Sequence, residues 1–374
     1  VISYLISFLV VLTILVFVHE FGHYIVARWN GVRVDVFSIG FGKEIFGWTD
    51  KAGTRWKFSL IPLGGYVKMY GDEDAASSPD ADKLRSMSEQ EKSYSLHHKG
   101  VWARIAVAAA GPIANYLLAF IIFTGLFFTV GKPYVEPVLS DVIKNSPADI
   151  AGLKVGDKIL SVDGSPVEKF NDLVHKAQKG IAKKNKLSLK VERNGDKKII
   201  FVQPTIEENK DIFGNVTRHG RLGIVGLEGK TVHYGFFGAM NASAKEIYFF
   251  TKNTLSNIGQ MLVGKKGASE LGGVLRIAKM SGDVVAAGIV PLLNFLAILS
   301  LALGLINLFP IPMLDGGHIA IYLVEAVRGK PMPEKIVDAA FKIGFVIVMT
   351  MMVIALWNDI TQMKVVDFFL KWFR

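Results

Sequence analysis

His19-Glu20-Phe21-Gly22-His23 is the stretch whose residue types and spacing point most directly to chemistry. Residues four apart on an α-helix stand on one face, one turn above each other. Two imidazoles so placed can share one Zn²⁺ ion. Glu20, beside the first, can then act as general base on the attacking water of a hydrolysis. The setting adds weight. Val1 to Val18 is almost wholly apolar, so three ionisable groups interrupt a run that otherwise reads as a membrane helix. There each would cost kilocalories unless paired or liganded. The plainer alternative is that the run ends at Val18 and the histidines face lipid headgroups.

Two histidines leave a zinc site short of a protein ligand. The best candidate for the third is Asp315, in Asn307-Leu308-Phe309-Pro310-Ile311-Pro312-Met313-Leu314-Asp315-Gly316-Gly317-His318. Here a long apolar helix is broken by two prolines and followed by two glycines. Such backbone leaves helical geometry near a membrane only where protein or water satisfies it. Alone, Asp315 would read as a helix cap. Beside a two-histidine helix that lacks a ligand, ligation is the favoured reading.

The elements that must position these residues follow from the apolar runs. A spanning helix needs about 20 residues. Four segments qualify: about Ile2 to Ala27, Val101 to Val130, Ala286 to Phe309 and Ile336 to Trp357. The N-terminal run lacks a basic leader and a small-residue cleavage site, so it does not read as a removable signal peptide. Residues 31–100 form a polar loop. Its Phe58 to Met69 stretch alternates and carries glycine pairs, as a strand or hairpin would. Asp72 to Glu91 is charged and Ser-rich, and is expected to be exposed and mobile. Residues 132–206 form a small αβ module, with turn signals at Asp163-Gly164 and Asn194-Gly195. Residues 207–285 form a juxtamembrane region whose Val232 to Leu262 stretch is amphipathic, suited to a membrane surface. The remaining divisions are 1–30, 101–131, 286–330 and 331–374. Basic residues near the helix ends (Arg28, Arg33, Lys99 and Arg104; then Arg328, Lys330 and Lys335) predict both short loops cytoplasmic and the αβ module outside. Lys364, Lys371 and Arg374 run against that assignment.

Composition excludes several classes. The chain has no cysteine, which removes disulfides, thiolate metal sites and cysteine nucleophiles. Its net charge of +10 comes with no DNA-binding motif, so nucleic acid is not an expected partner. His97 and His98, beside Lys99, are expected to be solvated, as is the Lys183-Lys184 turn. His318 is expected near the site or at a helix start.

The two motifs together resemble the signature pair of the site-two protease family of intramembrane zinc metalloproteases. The resemblance extends along nearly the whole chain. Gly64-Gly65-Tyr66-Val67-Lys68-Met69 is similar to the family's membrane-re-entrant β-hairpin. Gly111-Pro112-Ile113-Ala114-Asn115 is similar to its second-helix motif. Ser146-Pro147-Ala148, Ala151-Gly152-Leu153, Gly156-Asp157 and Val162-Asp163-Gly164 resemble a PDZ domain. The nearest subgroup is the bacterial regulator-of-sigma-E type. That type often carries two tandem PDZ domains, and one is evident here.

The resemblance implies a polytopic α-helical membrane protein with four transmembrane helices, a membrane-re-entrant β-hairpin and one inserted αβ PDZ-like domain. It implies residence in a bacterial inner membrane and a role in stress response. His19, His23 and Asp315 would hold zinc, with Glu20 as base and Asn307 near the scissile bond. Single-pass membrane proteins, such as anti-sigma factors or remnant signal peptides, would be the substrates, and peptide tails could bind the PDZ-like domain. Such a substrate must unwind, and the Gly65, Tyr66 and Val67 strand could pair with it by β-augmentation. The alternative is that the hairpin only plugs the entrance. An ion or metal transporter and a non-catalytic PDZ scaffold are the rival functions.

Overall fold

The computed structural model describes residues 2–72, 81–167, 169–181, 186–210, 216–226, 230–264 and 272–362. The Lys183-Lys184 turn and the C-terminal Lys364, Lys371 and Arg374 lie outside them. The chain divides into two compact units, Val1–Gly125 with Met240–Asn253 and Leu271–Arg374, and Leu126–Ala239 with Thr254–Glu270.

In the first unit, α1 (Ile2–Trp29) is apolar on every side, as a helix surrounded by lipid and other helices must be. It leads into a long antiparallel hairpin, β1 (Val34–Thr49) and β2 (Arg55–Met69). Asp50 closes the turn. Its carboxylate accepts from the Ala52 and Thr54 amides and the Trp56 indole, at 2.8, 3.0 and 2.9 Å. The hairpin curls on itself. Val36 to Ile39 faces Arg55 to Phe58 on one side and Gly65 to Lys68 on the other. The bend falls at Gly40 and Gly42, with φ of 90° and 87°. That curl makes Gly65 to Met69 an edge strand.

Two short helices follow, α2 (Ala81–Ser86) and α3 (Glu89–Tyr94), the latter held by a Ser88–Glu91 capping box. The expectation of exposure fails at Asp72 and His97. Asp72 is fully buried at the end of β2, where it accepts from the Met69 amide at 2.9 Å. A buried carboxylate needs a partner, and His97 Nε2 supplies one at 2.8 Å. His98 is exposed, as expected.

Four helices among the described residues are long and apolar enough to cross a membrane: Ser3–Trp29, Val101–Thr129, Ile289–Asn307 and Lys335–Thr361. They coincide with the four expected segments. Three belong to α4 (Val101–Thr129), α9 (Ile289–Asn307) and α11 (Glu334–Gln362). Between them run α7 (Phe236–Leu262) and α8 (Val274–Ala287). The expected 286–330 segment is two helices. Pro310 and Pro312 end α9, and α10 (Asp315–Arg328) starts afresh after a loop. Buried Asp359 of α11 accepts from the Gly273 and Arg276 amides at 2.9 and 3.1 Å, capping α8 from a neighbouring helix.

The second unit holds β3 (Lys132–Tyr134), β4 (Leu139–Val142), α5 (Pro147–Ile150), β5 (Lys158–Val162), β6 (Ser165–Pro166), α6 (Phe170–Ile181), β7 (Leu187–Arg193) and β8 (Asp196–Val202). Then come β9 (Thr205–Lys210), β10 (Val216–Arg221), β11 (Ile224–Gly226) and β12 (Lys230–Val232). Its main sheet has the order β6-β5-β7-β8, while β4 pairs with β11 and β3 with β12. Leu139, Ile159, Leu173, Leu187, Leu189 and Val191 are fully buried in one core, and Leu222 joins them. The module therefore runs past the expected limit at 206, through β11. Asp157, fully buried, is held by Arg193 Nε and Nη2 at 2.6 and 2.7 Å.

Candidate metal centre

Helix α1 carries His19, Glu20 and His23 on adjacent turns, and both histidines are buried. Their Nε2 atoms lie 3.3 Å apart. The third group arrives from far along the chain. The loop after α9 turns sharply, with Met313 at φ 84°, and delivers Asp315 as the first residue of α10. Asp315 Oδ2 lies 3.1 Å from His19 Nε2, and Oδ1 lies 3.4 Å from His23 Nε2. One ligand atom from each of the three falls within 4.8 Å of the others. Two imidazole nitrogens and one carboxylate oxygen are donors that Zn²⁺ accepts, and three protein donors leave one position for water or substrate. The residues present fit the metal.

Helix α4 backs the pair. His23 Nδ1 lies 2.8 Å from the Val107 carbonyl. A carbonyl only accepts, so Nδ1 carries the ring proton and the Nε2 lone pair is free for a metal. His19 Nδ1 lies 3.1 Å from Asn115 Nδ2. Gly111 sits midway between Val107 and Asn115 on the same face of α4. A Cβ there would overlap His23 Nε2 and approach His19 Cε1 to 2.8 Å.

A cavity of about 310 Å³ opens beside these groups. Val16, Glu20, Tyr66, Val67, Asn307 and Met313 are among the residues lining it. The Val67 amide of β2 donates to the Glu20 carboxylate. Asn307 Nδ2 lies 3.3 Å from His19 Nε2. All eight residues singled out in the sequence, His19, Glu20, His23, Gly65, Tyr66, Val67, Asn307 and Asp315, thus line one cavity. His318 lines it too, packed on Phe341 with ring centroids 5.1 Å apart. Sequence reasoning missed the roles of Val107 and Asn115. The spacing of 107, 111 and 115 on one helical face was the available signal, and a backbone carbonyl has none of its own.

Known proteins similar to this chain are named as metalloproteases. The model of Peptidase family M50 matches residues 7–351. A protein of Rhizobium meliloti (strain 1021) named as a zinc metalloprotease is 43% identical over 358 residues, 95% of each chain. One of Agrobacterium fabrum (strain C58 / ATCC 33970), similarly named, is 42% identical over 96% of each chain. Metalloprotease MmpA of Caulobacter vibrioides is 32% identical over 97% of each chain. Among solved structures, the PDZ domain of HtrA3 bound to a phage-derived ligand matches at 29% identity. That match covers 18% of this chain and 60% of that one, with a TM-score of 0.16, too low to carry an argument. With the family model spanning most of its length, this multi-pass membrane chain belongs to Peptidase family M50 and is a zinc-dependent metalloendopeptidase.

Proposed function

We propose that the enzyme cleaves single-pass membrane proteins within their transmembrane segments, with His19, His23 and Asp315 as the metal ligands and Glu20 as the general base. The observation that carries this reading is the position of the cluster. Two ligand candidates lie inside a spanning helix, and the third begins the helix that follows another. A bound zinc ion supplies Lewis acidity, polarising the scissile carbonyl and acidifying water.

The chain's own residues do the rest. Glu20, held by the Val67 amide, takes a proton from the attacking water as its oxygen adds to the peptide carbon. It then passes that proton to the leaving amine as the C–N bond breaks. A helical substrate hides its peptide groups, so it must unwind before this attack. The Gly65 to Val67 edge is suited to hold the extended stretch by β-augmentation. Asn307, beside His19, is suited to hydrogen-bond the substrate backbone near the reacting carbonyl. The PDZ-like domain would either receive peptide tails or admit only shortened substrates. Anti-sigma factors trimmed outside the membrane and remnant signal peptides are the substrate classes the family resemblance suggests. Placement in a bacterial inner membrane, with the active site near the cytoplasmic side, rests on the basic residues flanking the short loops.

The test co-expresses wild type or Glu20→Gln with tagged single-pass proteins shortened outside the membrane. Fragments cut within the span by wild type alone, and blocked by a zinc chelator, are the expected result. Cleavage by both forms would remove Glu20 as base. Cuts only outside the span would overturn intramembrane cleavage.

A further inference from the structure

Zinc ligation through Nε2 requires a lone pair on that atom. A neutral imidazole carries one N–H, so the proton must sit on Nδ1. His23 meets this condition through the Val107 carbonyl. His19 has a different partner. Its Nδ1 faces the side-chain amide of Asn115, which is fully buried. An amide can present either end, and half a turn exchanges oxygen and nitrogen with no change of shape. With Nδ2 toward His19, the ring would have to accept at Nδ1 and carry its proton on Nε2, where the metal belongs. In that orientation Asn115 Oδ1 is also buried without a hydrogen-bond partner. Turning the amide therefore forfeits no bond of the oxygen and gives it the His19 proton.

We propose that Asn115 is a positioning residue of the metal centre, whose side-chain oxygen accepts the His19 Nδ1–H and fixes the tautomer that leaves Nε2 free for zinc. The inference rests on His19 being a ligand. Asn115 is itself well anchored. Its backbone carbonyl accepts from Ser300 Oγ of α9 at 2.8 Å, and a Cβ at Gly304 would come within 3.2 Å of Asn115 Cβ. One face of α4 thus orients both imidazoles, through a main-chain oxygen at Val107 and a side-chain oxygen at Asn115. Groups that orient metal-bound histidines in this way typically change metal affinity by roughly 10–100-fold when removed.

The test uses the full chain in detergent, stripped of zinc and titrated with Zn²⁺ against a chromophoric chelator. Wild type should take up one ion, and His19→Gln should lose tight binding. If His19→Gln binds as tightly as wild type, the ligand assignment itself falls, independently of Asn115. With that control in place, Asn115→Ala should weaken binding by roughly 10–100-fold. Asn115→Asp, whose carboxylate can accept the same proton, should stay within about threefold of wild type. A residue that merely fills space would not distinguish aspartate from alanine in this way. Wild-type affinity in Asn115→Ala, or equal loss in both variants, overturns the proposal. Should the variants fail to fold, the wild-type chain decides. Imidazole ¹⁵N spectra of the zinc-free protein, with His19 assigned by its loss in His19→Gln, should put the ring proton on Nδ1. A proton on Nε2 overturns the proposal.

Discussion

Gly111 faces the two imidazoles from α4. A methyl group there would overlap His23 Nε2, the proposed ligand atom, and a rigid ring cannot fold away. Overpacking of this kind costs about 1–3 kcal/mol. Taken from metal binding, that is a loss of roughly 5- to 150-fold. Gly111→Ala should therefore lose zinc on dialysis against a chelator that wild type survives, and equal retention would refute the crowding argument. Glu20→Gln should behave in the opposite way. It should keep its zinc content while cleavage falls by roughly 10²–10⁴-fold, the usual weight of a general base. His19, Glu20 and His23 were legible in the sequence because helical periodicity alone sets their common face. Asp315 became legible only through the missing ligand, since 295 residues lie between it and His19, and alone it would have read as a helix cap. Val107 was not legible, because its contribution is a peptide oxygen that every residue owns.

At the scale of elements, the curled hairpin decides which amides are free. Successive N–H groups of a strand point to opposite sides. The Val67 amide turns to Glu20, so the Tyr66 amide turns toward β1. Val67→Pro removes the amide that holds Glu20 on the open side without taking a donor from the ladder. We expect it to stop cleavage while zinc binding and membrane insertion persist, and full cleavage by such a variant would rule out a role for this amide both in holding Glu20 and in pairing with substrate. In the second unit, removing Asp157 takes both carboxylate contacts from Arg193 and leaves it the Gly152 carbonyl. The cation left behind is part-exposed, so the cost is that of hydrogen bonds to a charged group, about 1.5–3 kcal/mol. Asp157→Ala should accordingly speed hydrogen exchange in β5 and β7, and unchanged protection there would contradict the pairing's importance. The hairpin's first strand escaped sequence reading because Gly40, Gly42 and Gly47 interrupt its alternation. The module's end escaped it because β11 pairs with β4 across more than 80 residues, and pairing at such distance leaves no local pattern. The four spanning helices were legible from length and composition, since lipid contact demands apolar residues on every face.

For the whole molecule, the meeting of His19 with Asp315 constrains the path of the chain. His19 lies in the second half of α1 and Asp315 follows the C-terminal end of α9, so we expect α1 and α9 to cross the membrane in the same direction. α4, joined to α1 by the 31–100 loop, is expected to cross the other way. The segment from the end of α4 to the start of α9 must then make no net crossing, which fits α7 and α8 as surface or paired elements rather than a fifth span. Together with the flanking basic residues, this predicts Gln90 inside and Lys197 outside. The chain's lack of cysteine makes the check direct. Both positions are exposed. A membrane-impermeant maleimide applied to intact cells should label Lys197→Cys and leave Gln90→Cys untouched, and the reverse pattern would invert the topology. Gly22 carries one more consequence. A Cβ at that position would come within 2.7 Å of Ala114 Cβ and overlap the Ala110 carbonyl, so α1 and α4 touch almost backbone to backbone. Parting them would pull Val107 and Asn115 off the histidines and spoil the metal's cage. The gate that admits a substrate should therefore swing on the hairpin edge or on the α9–α10 loop, with α1 and α4 serving as its fixed doorpost.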